Sequence, residues 1–193
     1  MTNREPFCAW QKGKFPAEGG KLMTSSITGR VGGTIGGFTV SCVTTSGRIS
    51  GRIGGTIFGA DVDLEVDQRL GAITGRIGGV IVGKSVDIKF KPDLLHGRLG
   101  GSVFGNDVAI QGANRITGRC GGTVIGFNCN LAVSHGSITG RLGGGVYGKS
   151  VDIRISEDFP PIVSALLAVI TYYYYRVMHS RSSGSSSGRG GHR

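Results

Sequence analysis

Apolar and polar residues alternate with a period of two through most of this chain. Around Gly75, for example, Ile73 and Ile77 share the parity of the glycine, whereas Thr74 and Arg76 have the opposite parity. Successive side chains of a strand point to opposite faces of a sheet, so this alternation predicts an amphipathic β-strand. A shorter alternating stretch follows after a turn glycine, and the two together predict a pair of strands.

The two-strand pattern occurs six times, with a period of about 22 residues. Each unit contains Gly-Arg, an apolar residue and Gly-Gly, and a further glycine follows eight positions after the first. The Gly-Arg pairs are Gly29-Arg30, Gly51-Arg52, Gly75-Arg76, Gly97-Arg98, Gly118-Arg119 and Gly140-Arg141. Repeats of this length indicate units that cover one another's apolar faces. Helix is disfavoured, because each interior glycine costs about 1 kcal/mol relative to alanine.

Residues 27–155 are therefore predicted to form an all-β domain of six units. A flattened β-solenoid, with one coil per unit and like residues stacked in columns, is favoured because the columns are so uniform. An antiparallel hairpin meander or barrel is the alternative. In either topology, counting from the turn places a glycine opposite a large apolar residue, which lets two layers approach closely. The predicted pairs include Gly55 with Leu64, Gly79 with Ile88, and Gly101 with Ile110.

The segments that flank the repeats differ from them in composition. Residues 1–26 are predicted to be an irregular leader or cap, and 179–193 a disordered basic tail rich in Ser, Gly and Arg. Within 156–178, the apolar run from Ile162 to Met178 predicts a hydrophobic helix. With tyrosines and Arg176 near one end, this helix has the features of a short membrane anchor. A helix that caps the last coil is the alternative.

The net charge of +10 favours anionic partners. In a stacked fold the six arginines of the Gly-Arg pairs would form a row on one face, and they are the candidate anion-binding residues: Arg30, Arg52, Arg76, Arg98, Arg119 and Arg141. The acidic cluster from Asp61 to Asp67 is interpreted as a solvated edge that offsets neighbouring arginines. Cys42, Cys120 and Cys129 fall on apolar positions, which predicts buried thiols.

No phosphate loop, nucleophile elbow or zinc-binding cysteine pair occurs in the sequence. The expectation is therefore a protein that is not an enzyme, with no cofactor, no metal site and no small-molecule substrate. It would be a structural or interaction scaffold of the membrane, tail-anchored by Ile162 to Met178 with its repeats in the cytosol. Such a scaffold would self-associate through its coil ends or bind an acidic partner on the arginine face. A polyanion-binding module for acidic lipid, RNA or glycan is the alternative function.

Overall fold

The computed structural model describes residues 24–33, 36–55, 57–78, 83–101, 105–122, 126–144, 148–156 and 159–182. The predicted N-terminal leader or cap lies almost wholly outside these residues, as does most of the basic tail. Twelve strands and one helix follow in chain order: β1 Thr24–Val31, β2 Phe38–Thr45, β3 Arg48–Gly54, β4 Gly59–Asp67, β5 Ala72–Ile77, β6 Lys84–Lys91, β7 Leu94–Leu99, β8 Asn106–Gln111, β9 Arg115–Cys120, β10 Phe127–Ser134, β11 Ser137–Leu142, β12 Lys149–Ile155 and α1 Pro161–Ser182.

The all-β prediction is confirmed, and the topology is the antiparallel meander rather than the solenoid. Every strand pairs with its neighbours in sequence, and β1 pairs with β12 so that the sheet closes into a barrel. A solenoid coil would need parallel pairing between units, but here each unit is a hairpin. Closure gives hydrogen-bond partners to the backbone N–H and C=O groups of β1 and β12, which would otherwise be the open edges of the sheet.

The turns at the two ends of the barrel differ in length. At one end Ser46-Gly47 and His135-Gly136 join strands through two residues with positive φ, from 39° to 81°. Such pairs match the type I′ turn, whose twist suits a two-residue hairpin. At the other end the strands are joined by the glycine loops, which are the segments 32–37, 55–58, 78–83, 100–105, 121–126 and 143–148. The end that carries them is called the loop rim below.

The predicted parity of the strands is confirmed. Ile73 and Ile77 are buried on the inner face of β5, whereas Thr74 and Arg76 lie on the outer face. In β6, Val86 and Ile88 are buried and alternate with outward polar residues. The core is therefore the lumen of the barrel.

The glycines that face large apolar residues are those of the Gly-Arg pairs, not the ones predicted. Leu64 pairs with Gly75 across β4 and β5, and Ile88 pairs with Gly97 across β6 and β7. Gly55 and Gly101 instead lie in glycine loops, where no atom of the described part of the chain is near the position of a Cβ. Gly79 lies outside the described residues. A large apolar residue therefore does lie opposite a glycine, as predicted, but the two residues belong to neighbouring hairpins and not to the same one.

Helix α1 occupies the lumen of the barrel. Residues 162–170 are all fully buried, and α1 packs against strands on both sides of the closure, among them β2 and β12. A barrel of eight strands has an interior just wide enough for side chains, so twelve strands leave room for a helix of about 10 Å diameter. A helix that is apolar on every side is typical of such a buried position.

The four consecutive tyrosines of α1 surround the helix at the loop rim. Because successive helical residues are about 100° apart, four of them point in four directions around the barrel axis. Their partners lie on four strands: Phe127 on β10 for Tyr172, Asn106 on β8 for Tyr173, Gly59 on β4 for Tyr174, and Phe38 on β2 for Tyr175. The tyrosine run therefore closes the mouth of the barrel around the helix.

Candidate binding surface

The six predicted arginines form a belt on the outer wall next to the loop rim. Each lies one residue after the inward glycine of an odd-numbered strand, and the chain enters a glycine loop within a few residues. Because an even-numbered strand separates each arginine from the next, their backbones are roughly 10 Å apart, twice the strand spacing. Stacked coils of a solenoid would have placed the arginines one strand spacing apart, about 4.8 Å, so that expectation is wrong. These residues are called the arginine belt below.

One role of the belt is to hold the glycine loops. The Nε atoms of Arg30, Arg98 and Arg119 donate hydrogen bonds to the carbonyls three residues ahead, at 3.1, 3.2 and 3.3 Å. Arg141 bonds the carbonyl of Gly148 at the far end of its own loop, at 3.2 Å. A guanidinium group has several N–H donors, so one arginine can bond the carbonyls of the glycine loop that follows it. This explains locally why the sequence Gly-Arg-x-Gly-Gly is repeated.

Carboxylates compensate the charge of part of the belt. Arg52 pairs with Asp61, and Arg98 pairs with Asp107, each at 2.6 Å across a single hairpin. The exposed pair of Arg52 and Asp61 supports the interpretation of the acidic cluster as a solvated edge that offsets neighbouring arginines. Among the described residues no group of three or more His, Cys, Asp or Glu side chains is placed to hold a metal ion.

A second row of arginines, below the belt, repeats the same arrangement. Arg48 on β3 donates two hydrogen bonds to the carboxylate of Asp63 on β4, at 2.7 and 2.6 Å. This bidentate contact lowers the pKa of the Asp63 carboxyl, chiefly through the hydrogen bond from Arg48. Arg115 on β9 makes the equivalent contact to Asn130 on β10, at 3.1 Å.

The wall formed by β9, β10 and β11 differs from the hairpin of β3 and β4 because amides on β10 take the places of the carboxylates on β4. Asn128 accepts from Arg119 at 2.7 Å, in the position that Asp61 takes beside Arg52. The sequences of the three strands, RITGRC, FNCNLAVS and SITGRL, include three arginines and no Asp or Glu. We call this wall the amide sector.

A shallow recess of about 320 Å³ lies on the amide sector. Its lining includes Arg115 and Arg141 at the sides, with Asn130, Ala132 and Thr139 between them. Ala132 on β10 pairs with Arg115 on β9. In the equivalent hairpin of β3 and β4, which we call the acidic wall because β4 carries four acidic residues, Glu65 pairs with Arg48. The short alanine leaves space that a glutamate would fill.

Sequence reasoning found the belt but missed Arg115, Asn128 and Asn130. The signal that could have found them is the repeat itself. Aligning the second and fifth units sets Asn128, Asn130 and Ala132 against Asp61, Asp63 and Glu65, so that amides and an alanine replace three acids.

Among the described residues, two exposed apolar side chains lie at the loop rim. Ile57 and Phe58, in the glycine loop between β3 and β4, are 85% and 66% exposed. At the opposite end of the barrel, Leu70 is 72% exposed. Large apolar side chains on a surface that is otherwise charged are candidates for contact with a partner.

The three predicted buried cysteines lie inside the barrel wall. Burial raises the pKa of the Cys42 thiol to about 11 and those of Cys120 and Cys129 to about 12. Thiols with such values stay protonated and inert at neutral pH.

Comparisons of this chain with protein-family models, with curated proteins and with solved structures gave no match.

Proposed function

We propose that the protein is a non-enzymatic interaction scaffold that acts through the outside of a plugged barrel. The observation that carries the proposal is the complete burial of residues 162–170 in the lumen. Barrels that hold a small molecule keep it in that space. Here α1 fills it, so partners have the outer wall and the loop rim available to them.

Self-association is proposed at the loop rim instead of at coil ends. The described strands form a closed sheet, so strand addition at an open edge has no place to occur. Ile57 and Phe58 supply exposed apolar surface at the rim, and burying such side chains is the usual driving force of association. A second copy of the chain is the partner that this proposal names.

Sedimentation of the full-length protein over a range of concentrations tests this proposal. We expect a self-association that changes little with salt, because apolar burial drives it. The variant Ile57→Ser with Phe58→Ser should sediment as a monomer, whereas Leu70→Ser, which removes an equally exposed residue from the opposite end, should behave as the parent does. A parent that is monomeric at all concentrations, or an equal loss in both variants, would contradict the proposal.

A membrane-anchored scaffold is the second candidate. The observation in its favour is that α1 is long and apolar enough to cross a membrane over Pro161–His179, with mean hydropathy 1.2. More than half of that segment, 61%, is buried inside the barrel, so insertion would require α1 to leave the lumen. The tail-anchored form with cytosolic repeats therefore needs a different conformation from the one described.

Deleting Ile162 to Met178 distinguishes the two candidates. If α1 is a core helix, the shortened chain should lose its β-sheet circular dichroism signal or aggregate, since the lumen would be left empty. If α1 is an anchor, the shortened chain should stay folded and move from the membrane fraction to the soluble fraction. Resistance of the full-length protein to alkaline carbonate extraction would further support the anchor.

A further inference from the structure

We propose that the amide sector binds a phosphate group, with Arg115 and Arg141 as the two guanidinium ligands. This inference deepens the proposed function and rests on it, since it names a partner chemistry for one part of the outer wall. It does not depend on self-association at the loop rim.

The first argument is a comparison of two hairpins within one molecule. The Arg48 to Asp63 and Arg115 to Asn130 contacts have the same separation of 15 residues and the same position in the register. At the first site a carboxylate accepts both hydrogen bonds and compensates the charge of the arginine. At the second site an amide oxygen accepts, which holds the side chain in place but contributes no negative charge.

The second argument is the charge of the sector as a whole. Three arginines lie on three consecutive strands that contain no Asp or Glu. The carboxylates on the bordering strands are Asp107, which is paired with Arg98, and Asp152, which lies in register with Thr139 and with Arg30. The middle of the sector therefore carries a positive potential that favours an anion.

The third argument is the shape and chemistry of the recess. Asn130 lies in register with Arg141 on β11 and accepts a hydrogen bond from Arg115 on β9, so it lies between the strands that carry the two arginines. Thr139 contributes a hydroxyl to the lining of the recess, and the short side chain of Ala132 leaves the recess open. Guanidinium groups match the oxygens of phosphate with paired hydrogen bonds, and a recess of about 320 Å³ accommodates a single phosphate group.

The test is calorimetric titration of the full-length protein with inorganic phosphate at low ionic strength. We expect one site per chain, with binding that weakens as salt is raised. The variant Asn128→Asp with Asn130→Asp restores the two acids of the other wall without changing side-chain size, and should weaken binding at least about tenfold, which is about 1.4 kcal/mol. Arg115→Lys with Arg141→Lys should also weaken it, because lysine keeps the charge but not the paired geometry.

The acidic wall supplies the matched control within the same chain. Changing Asp61→Asn, Asp63→Asn and Glu65→Ala copies the amide sector onto β4, so a second phosphate site should appear. If the parent does not bind phosphate, or if Asn128→Asp with Asn130→Asp binds as tightly as the parent, the proposal is wrong. Thermal melts of every variant verify folding, and the sedimentation measurement above reports the proposed function separately.

A second arm identifies the source of the phosphate. Phosphatidylcholine vesicles with and without a phosphoinositide are sedimented with the parent and with the Asn128→Asp, Asn130→Asp variant. Binding that requires both the phosphoinositide and the two asparagines assigns the site to a lipid head group. Binding of inorganic phosphate without vesicle binding assigns it to a free phosphate ligand.

Discussion

Replacing Gly75 by alanine tests the close approach of neighbouring strands in the barrel wall. Gly75 has φ of 144°, in the region that favours glycine. A Cβ there would overlap the carbonyl oxygen of Asp63 and lie 2.8 Å from the Cα of Leu64, both backbone atoms of β4. Ordinary carbon contacts are about 3.5 to 4.0 Å, so the two strands would have to separate by about 1 Å.

The expected cost has two parts. Overpacking of a tight interior costs about 1 to 3 kcal/mol. Holding a residue other than glycine in a sparsely populated conformation costs roughly another 1 to 3 kcal/mol. We therefore expect Gly75→Ala to lower the free energy of unfolding by about 2 to 6 kcal/mol. For a chain of this size each kcal/mol corresponds to about 2 to 4 °C, so the Tm should fall by roughly 4 to 24 °C.

Gly101→Ala is the matched control, measured by the same far-UV circular dichroism melt. Gly101 belongs to the same repeat motif, but no atom of the described residues lies within 4 Å of its Cβ position. Alanine there should leave the Tm unchanged or raise it slightly, because it restricts the unfolded chain. Equal Tm values for the two variants would refute the assignment of Gly75 to the inner wall. Recovery of the Tm in the double variant Gly75→Ala, Leu64→Ala would refute it as well. The expected clash is with backbone atoms of β4, which the loss of the Leu64 side chain does not relieve.

Three further predictions concern the interior. Leu166→Ala in α1 should cost about 2 to 5 kcal/mol in chemical denaturation, because Leu166 is fully buried in the lumen; a change below about 1 kcal/mol would place α1 elsewhere. Ser164→Ala should stabilise the protein by about 1 kcal/mol, because the Ser164 hydroxyl is buried without a hydrogen-bond partner among the described residues; a loss of stability would reveal one. The pKa of Cys129 is raised from 9.0 to about 12, so its contribution to stability is full below pH 9 and is lost as the pH rises toward 12. Urea unfolding from pH 8 to pH 11 should show this fall, and Cys129→Ala should reduce it.

The sequence by itself determined the strands and their faces. Period-two alternation depends only on the geometry of an extended chain, so the inward position of Ile73 and the outward position of Arg76 follow from the residues alone. The number of units and the burial of the cysteines follow in the same way. These properties depend only on residues that are close in the sequence, so the alternation of apolar and polar residues is enough to predict them.

Only the tertiary structure decided which strands pair and what fills the core. The choice between solenoid and barrel depends on the antiparallel pairing of neighbouring strands and on the contact between β1 and β12, and the alternation within one strand encodes neither. The apolar run of α1 is compatible with lipid or with a protein lumen, since both remove it from water, and closure of twelve strands supplied the lumen. The register between hairpins likewise decided that Leu64 meets Gly75 and not Gly55.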